Sequence, residues 1–377
     1  MSAAEPLNAA RRRLLSRGDL PGSDGGLYNP GAWLDGDRIE LVVRREIDYR
    51  FTPIAHVERV VLDAATLSIL GHGTLRRRGY PDGARVEDCR PLRFRGQALC
   101  VHTLVHGGTI RPVLARLTDR EIVYDGPIAL PTQTTPIEKN WVLFEHGGDL
   151  HCLYRLDPLT IFARGRGGRW RLVKRVDNGW GASFAGMLSN SANLVPFAGG
   201  HLGFWHSIVD GRYVQGAMRL DANLDLVAAT GVLLDGRDAT PGHKPGVLYV
   251  SALAVHAGRV LAFYGEGDAH SGVAAFDAVA LEAELRRHPF APREPVTVRL
   301  DPVSMGELYR AMVELDERTR DDPLPLWVHV PNRDLHEIVR RFGVRGLAVR
   351  DLSRRRRFDY ELGSPAARAA VAAPRRS

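Results

Sequence analysis

Between residues 28 and 282 the chain reads as one short apolar run after another, with no long helical period to interrupt them. The clearest runs are Ile39 to Val43, Val57 to Leu62, Ala98 to Leu104, Ile122 to Tyr124, Trp141 to Glu145, Leu150 to Tyr154, Leu202 to His206, Val247 to Val255 and Val260 to Tyr264. Turns such as Asp35-Gly36-Asp37, His146-Gly147-Gly148 and Asp210-Gly211 separate them, which predicts strands. An all-β body follows, because alternating βα units would need amphipathic helices between the strands. The 39 glycines and 23 prolines suit many short strands joined by tight turns.

A weak internal repeat runs through this body. An apolar segment followed by aspartate recurs at Asp63, Asp119, Asp157, Asp221 and Asp277, with Asp157 out of step with the others. Five such marks fit five blades of four antiparallel strands, a β-propeller. Aspartates at strand ends also serve turns of any kind.

After Asp277 the character changes. Ala280 to Arg287 reads as helix, and Ser304-Met305-Gly306-Glu307 as a capping box before a helix from Leu308 to Arg318. Leu326 to Val330 reads as a strand. Asn332 reads as the N-cap of a helix from Arg333 to Phe342 closed by Gly343, and Val344 to Val349 as a further strand. The expected organisation is an N-terminal arm (1–27), the propeller (28–282), a small C-terminal α/β appendage (283–362) and a disordered basic tail (363–377).

The net charge of +7 comes from 51 basic residues, of which only Lys139, Lys174 and Lys244 are lysines. Arginine clusters such as Arg76 to Arg78 and Arg354 to Arg357 lack interleaved aromatics and any nucleic-acid module, so they read as solvated faces or tail. Where arginine is the default cation, a lysine marks a place that needs a compact ammonium, which draws attention to Lys139. No run of eighteen apolar residues suggests a membrane span, and the first eighteen residues do not read as a secretory signal. Three cysteines, Cys89, Cys100 and Cys152, make an odd count that fits a reduced, cytoplasmic setting. Assembly into a homo-oligomer is left open.

Several chemistries have no signature: there is no phosphate loop before a helix, no Gly-x-Ser-x-Gly elbow and no zinc spacing. His102 and His106 lie on one strand, where their spacing does not share a helical face. The strongest constellation is Glu87-Asp88-Cys89-Arg90, just before the strand from Gln97 to Leu104. On an extended backbone the two carboxylates point to opposite faces, so one can enter a cavity while the other is held elsewhere. Arg90 shares a face with Asp88 and can orient it or grip a sugar hydroxyl. A surface turn with an ion pair of little energetic value is the plain alternative.

The run Arg85-Val86-Glu87-Asp88-Cys89-Arg90-Pro91-Leu92 resembles the Glu-Asp-Pro-Arg motif of glycoside hydrolase family 130, the mannoside phosphorylases and hydrolases. Other segments resemble that family's motifs in the same order. They are Tyr28-Asn29-Pro30-Gly31-Ala32 with Leu41-Val42-Val43-Arg44, then Glu138-Lys139-Asn140-Trp141, then Gly203-Phe204-Trp205-His206-Ser207 with Tyr213, then Tyr264-Gly265-Glu266-Gly267-Asp268. The resemblance covers about residues 28 to 282 and implies a five-bladed propeller with its site at the axis.

It further implies an inverting mechanism without a bound cofactor, with inorganic phosphate as co-substrate and a small carbohydrate, a β-mannoside, as substrate. Asp88 would be the general acid. Asn29, Arg44, Glu87, Arg90, Asn140, Tyr264 and Asp268 would face sugar; Lys139, His206, Tyr213 and Arg111 would face phosphate. An inverting hydrolase needs a second carboxylate to activate water, whereas phosphate is already a nucleophile and needs a cationic cradle. For hydrolysis Glu266 or Asp268 would have to serve as base. A carbohydrate-binding or interaction propeller without catalysis is the rival from another class. Two departures bear on this: Cys89 replaces the motif proline, and Asn190-Ser191-Ala192-Asn193-Leu194 replaces a Gly-x-Pro run.

Overall fold

The computed structural model describes residues 9–20, 23–48, 52–131, 137–176, 178–180 and 188–290, together with four strands between 296 and 362. Up to Asp277 the described elements are almost entirely antiparallel strands. Strand β1 (Ala10–Leu15) comes first, inside the segment read as an N-terminal arm. The strands β2 (Gly26–Asp35), β3 (Arg38–Asp48), β4 (Thr52–Asp63) and β5 (Ile69–Arg78) then form a meander. A second meander holds β6 (Arg85–Phe94), β7 (Gln97–His106), β8 (Thr109–Leu117) and β9 (Glu121–Pro127), joined to the first by a parallel β5/β9 contact. The third holds β10 (Val142–His146), β11 (Asp149–Leu156), β12 (Leu159–Arg164) and β13 (Trp170–Val176).

In the fourth sheet the two short strands β14 (Ser189–Asn190) and β15 (Val195–Phe197) both pair with β16 (Gly200–Val209). It continues through β17 (Arg212–Leu220), with β18 (Leu226–Ala229) and β19 (Leu234–Asp235) against it. The last sheet holds β20 (Leu248–His256), β21 (Arg259–Glu266) and β22 (His270–Asp277), and β1 completes it by pairing with β22. Helix α1 (Ala278–Arg287) follows, as the helical reading of this stretch anticipated, and packs Leu281 and Leu285 inward.

Alternation along the strands explains how these sheets stack. On β3, Leu41 and Val43 enter the apolar layer shared with the last sheet, while Val42 between them enters the layer shared with the second. On β7, Leu99 and Val101 face the third sheet and Cys100 faces the first. On β12, Ile161 and Phe162 part in the same way, and on β16 Phe204 and Trp205 do so. Period-two side chains therefore bury both faces of each sheet. Each apolar layer joins consecutive sheets, and the layer containing Leu27, Val60 and Phe263 joins the last sheet to the first.

Four of the five repeated aspartates end or follow the third strand of their unit: Asp63 on β4, Asp119 after β8, Asp221 after β17 and Asp277 on β22. Asp157 lies one strand early, between β11 and β12. Turn chemistry selects them. Asp63 accepts from the Thr66 amide at 2.7 Å, Asp221 from the Asn223 amide at 2.8 Å, and Asp277 from the Ala280 amide at 2.8 Å as the cap of α1.

C-terminal to this body, β23 (Val296–Arg299), β24 (Leu326–Val330), β25 (Val349–Asp351) and β26 (Tyr360–Leu362) form a sheet in the order β23-β24-β26-β25. The strand read at 326–330 is β24. The helices read at 308–318 and 333–342, and the tail, lie outside the described residues.

Candidate active site

Three inner strand positions share one device. Asn29 on β2, Asp88 on β6 and Asn140 just before β10 have φ of 51°, 51° and 64°. Asn and Asp tolerate this left-handed region better than other side chains. At Asn29 and Asp88 the residue sits in a bulge, between Tyr28 and Gly31 and between Glu87 and Arg90. A bulge re-aims the side chain that a regular ladder would hold. The amide of Asn29 reaches the Asp88 carboxylate, Nδ2 to Oδ1, at 2.8 Å. Asn29 lies so close to Gly265 that a Cβ there would run into it. Gly31 likewise lies against the Cys89 carbonyl, which brings β2 and β6 together.

Cys89 stands in its bulge where Pro30 stands in the first one, and the residues before them, Asp88 and Asn29, share a φ of 51°. A hydrogen bond with Cys100 and burial push its thiol well up, which makes it a poor nucleophile.

Arg90 is buried and ties the sheets together. Its Nε donates to the Ser191 carbonyl at 3.0 Å, one terminal nitrogen to the Asp88 carbonyl at 3.2 Å, and the other to Asn140 Oδ1 at 3.3 Å and to the Tyr249 hydroxyl. Arg90 thus holds the backbone of Asp88 and presents no open fork to a ligand. Tyr249 on β20, which sequence reasoning passed over, also donates to Asn140 Oδ1 at 3.2 Å. The Asn190–Leu194 run is internal stapling: Asn190 Nδ2 donates to the Asn140 and Leu153 carbonyls at 3.0 Å each, and Ser191 Oγ to Gln215 Oε1 at 2.7 Å.

His206 on β16 stacks on Tyr213 with ring centroids 5.6 Å apart and meets Tyr249 edge-on at 5.1 Å. Burial, helped by the charges of Arg90 and Lys139, pushes its imidazole down to about 3. It is therefore neutral at pH 7, a hydrogen-bonding group without a charge of its own. Lys139 is exposed beside it. Its neighbours Glu138 and Trp141 turn inward, and Glu138 accepts from the Tyr154 hydroxyl at 3.2 Å.

On the other flank, Arg44 binds Glu46 and reaches Glu87 at 3.1 Å, and lies over the Tyr28 ring at 5.0 Å. Arg85 meets Glu87 at 2.9 Å. Burial nonetheless pushes the Glu87 carboxyl up. Asp268, with φ 52°, pairs with Lys244 Nζ at 2.9 Å. Burial raises the Tyr213 phenol, on which the charges of Lys244, Asp268 and Asp88 all bear, so these groups share one neighbourhood.

Two expected residues are placed elsewhere. Tyr264 is buried in the apolar layer with Phe204 and Phe276, and its hydroxyl accepts from Arg11 Nε at 3.4 Å. Strand alternation is the reason: Gly265 faces Asn29, so Tyr264 faces away. Arg111 is exposed on β8 opposite Leu104 and makes no described hydrogen bond or ion pair with the cluster. Glu266 is buried, bound by Arg11 at 3.1 Å and by the Thr240 amide at 2.9 Å. Lysine scarcity is the signal that would have found Lys244.

No family model matches the chain, and no curated protein matches it in sequence. Solved structures do. A β-1,2-mannobiose phosphorylase from Listeria innocua, complexed with β-1,2-mannobiose, is similar with a TM-score of 0.59 and 15% identity, over 75% of this chain and 100% of that one. A glycosyl hydrolase from Bacteroides ovatus gives 0.58 at 12% identity, over 76% and 97%. A structure reported with the GH130 glycoside hydrolases that target β-1,2 mannosidic linkages in Candida mannan gives 0.54 at 12%, over 74% and 96%. At these identities the likeness is one of fold, and the fold is that of the mannoside phosphorylases and glycoside hydrolases of glycoside hydrolase family 130.

Proposed function

We propose that the chain is a five-bladed β-propeller that cleaves a glycoside, a β-mannoside, with inorganic phosphate. The ring of apolar layers joining consecutive sheets supports the propeller reading. In the reaction a phosphate oxygen attacks the anomeric carbon as its bond to the leaving oxygen breaks. Asp88 gives that oxygen its proton, directly or through a sugar hydroxyl, and the products are an inverted sugar 1-phosphate and a free sugar. The observation that carries this reading is Asp88 in its left-handed bulge, bound by Asn29 at 2.8 Å, with Lys139 and His206 in the same cluster. Lys139 would supply charge to phosphate and neutral His206 a hydrogen bond.

Hydrolysis is the second reading. It needs a free carboxylate to activate water. Glu266 is committed to Arg11, Asp268 to Lys244, and Glu87 to Arg44 and Arg85, which favours phosphorolysis. Product release from a panel of β-mannoside oligosaccharides, with and without phosphate, tests both. Phosphate-dependent formation of a sugar 1-phosphate supports the proposal; phosphate-independent release selects the hydrolase; binding without turnover selects a non-catalytic propeller.

A further inference from the structure

Apart from the acid cluster, the first and second sheets enclose a cavity of about 340 Å³, within the range of small-molecule sites. Asn29 and Asp88 sit early in β2 and β6, whereas Trp33, Asp35 and Arg93, which line the cavity, sit near the ends of the same strands. At the rise of a strand the cavity lies roughly 10–15 Å from the acid, toward the other end of the sheets. Trp33 packs half-buried against the apolar layer between the two sheets. Its indole nitrogen is covered and has no hydrogen-bond partner, so ring carbon is what it shows the cavity. Three guanidiniums line the same space, each held by a carboxylate. Arg59 grips Glu40 through two bonds of 2.8 Å, Arg93 meets Asp35 at 2.7 Å, and Arg116 meets Asp125 at 2.9 Å. An anion would have to displace these carboxylates, whereas a neutral ligand would not.

We propose that this cavity is a second, non-catalytic carbohydrate site that holds a neutral β-mannoside away from the acid; the identity of the sugar rests on the reading above, the existence of the site does not. A pyranose has an apolar C–H face and a rim of hydroxyls that both donate and accept. The C–H face suits the Trp33 ring. Donors for the rim remain in place: a guanidinium has five N–H groups, and the described bonds use one on Arg93 and one on Arg116. The side-chain amide of Gln97, also in the lining, makes no described hydrogen bond. An acceptor remains as well, because Asp35 receives Arg93 on Oδ2 and no described bond on Oδ1. Hydroxyl oxygens can therefore accept from Arg93 and Arg116 while a neighbouring hydroxyl donates to Asp35, each through a charge-assisted bond. The cavity is open to solvent, so the rest of an oligosaccharide can run out of it.

The test follows hydrogen exchange of full-length Asp88→Asn protein, which should bind without turnover, as β-1,2-mannobiose is added. Exchange should slow in the turn from Phe94 to Gln97 as well as around Asp88. Arg93 and Gln97 are both exposed, so Arg93→Met and Gln97→Ala together should leave the urea midpoint unchanged. The pair should raise the mannobiose concentration for half-protection of the turn about tenfold, the worth of one charge-assisted bond, and leave that around Asp88 within twofold. A shift at the turn below threefold, or no protection of the turn while Asp88 is protected, would overturn the second site alone. Protection of the turn with none around Asp88 would uphold the second site and overturn the sugar reading of the acid cluster. Protection of neither would overturn both. Slowing of the turn by inorganic phosphate in place of mannobiose would make the cavity an anion site and overturn the proposal.

Discussion

Replacing Arg90 by lysine keeps the charge and removes the fork, which isolates what the guanidinium geometry contributes. Four acceptors meet Arg90: the carbonyls of Ser191 and Asp88, Asn140 Oδ1 and the Tyr249 hydroxyl. The single proton of that hydroxyl can serve either Asn140 or Ser191, which lie 3.2 and 3.4 Å from it. A lysine reaching Ser191 or Asn140, with the tyrosine proton serving the other, leaves two acceptors unpaired, the Asp88 carbonyl and the Tyr249 hydroxyl oxygen. At about 1–3 kcal/mol per buried unpaired group, the loss is about 2–6 kcal/mol. Urea unfolding of wild type and Arg90→Lys at pH 7 reads it as a lower midpoint at unchanged slope. Thermal unfolding should drop by roughly 2–4 °C per kcal/mol. A loss under about 1 kcal/mol would refute the view that this guanidinium fastens the second sheet to its neighbours.

Cys89→Pro should change stability by no more than about 1 kcal/mol, because Pro30 already occupies the matching place in an equivalent bulge. A loss above about 3 kcal/mol in urea would mean that the two bulges are not equivalent. His102 and His206 are both buried, with imidazoles pushed down by that burial to about 4 and about 3. In the unfolded chain they take up protons below about pH 6.5, whereas in the native state they do not. Their contribution is therefore whole above pH 6.5 and is lost as pH falls toward the folded values. By pH 5 the loss amounts to about 2 kcal/mol for each histidine. Urea midpoints at pH 7, 6 and 5 should fall accordingly, and constant midpoints across that range would contradict the buried neutral assignment.

The antiparallel body was readable because meanders write themselves locally: short apolar runs, turn residues between them, and period-two alternation. The aspartate repeat was readable for the same reason, since Asp63, Asp221 and Asp277 act through turns and caps within a few residues of themselves. Asn29, Asp88 and Asn140 were singled out from their motifs. That each occupies the left-handed region is a backbone fact which an Asn or Asp inside an apolar strand only suggests. Tyr249 was missed because an aromatic in an apolar strand reads as core, and its partner Arg90 is 159 positions away in sequence. Tyr264 was misjudged from its Tyr-Gly pattern. The close approach of Asn29 to Gly265 settles which face of β21 looks at the site, and no local signal carries that. Lys244 and Asp268 meet through a loop-to-turn contact that strand periodicity does not address.

Asp88→Asn, assayed beside wild type on β-1,2-mannobiose with and without inorganic phosphate, is the measurement that bears hardest on the proposed chemistry. Asparagine keeps the size of the side chain and can still accept from Asn29, so folding should be preserved and the urea midpoint should stay within about 1 kcal/mol of wild type. Loss of the proton donor should lower turnover by about a hundred- to ten-thousandfold. The proposal predicts a phosphate-dependent sugar 1-phosphate from wild type that all but vanishes in the variant. Full activity in Asp88→Asn would contradict it.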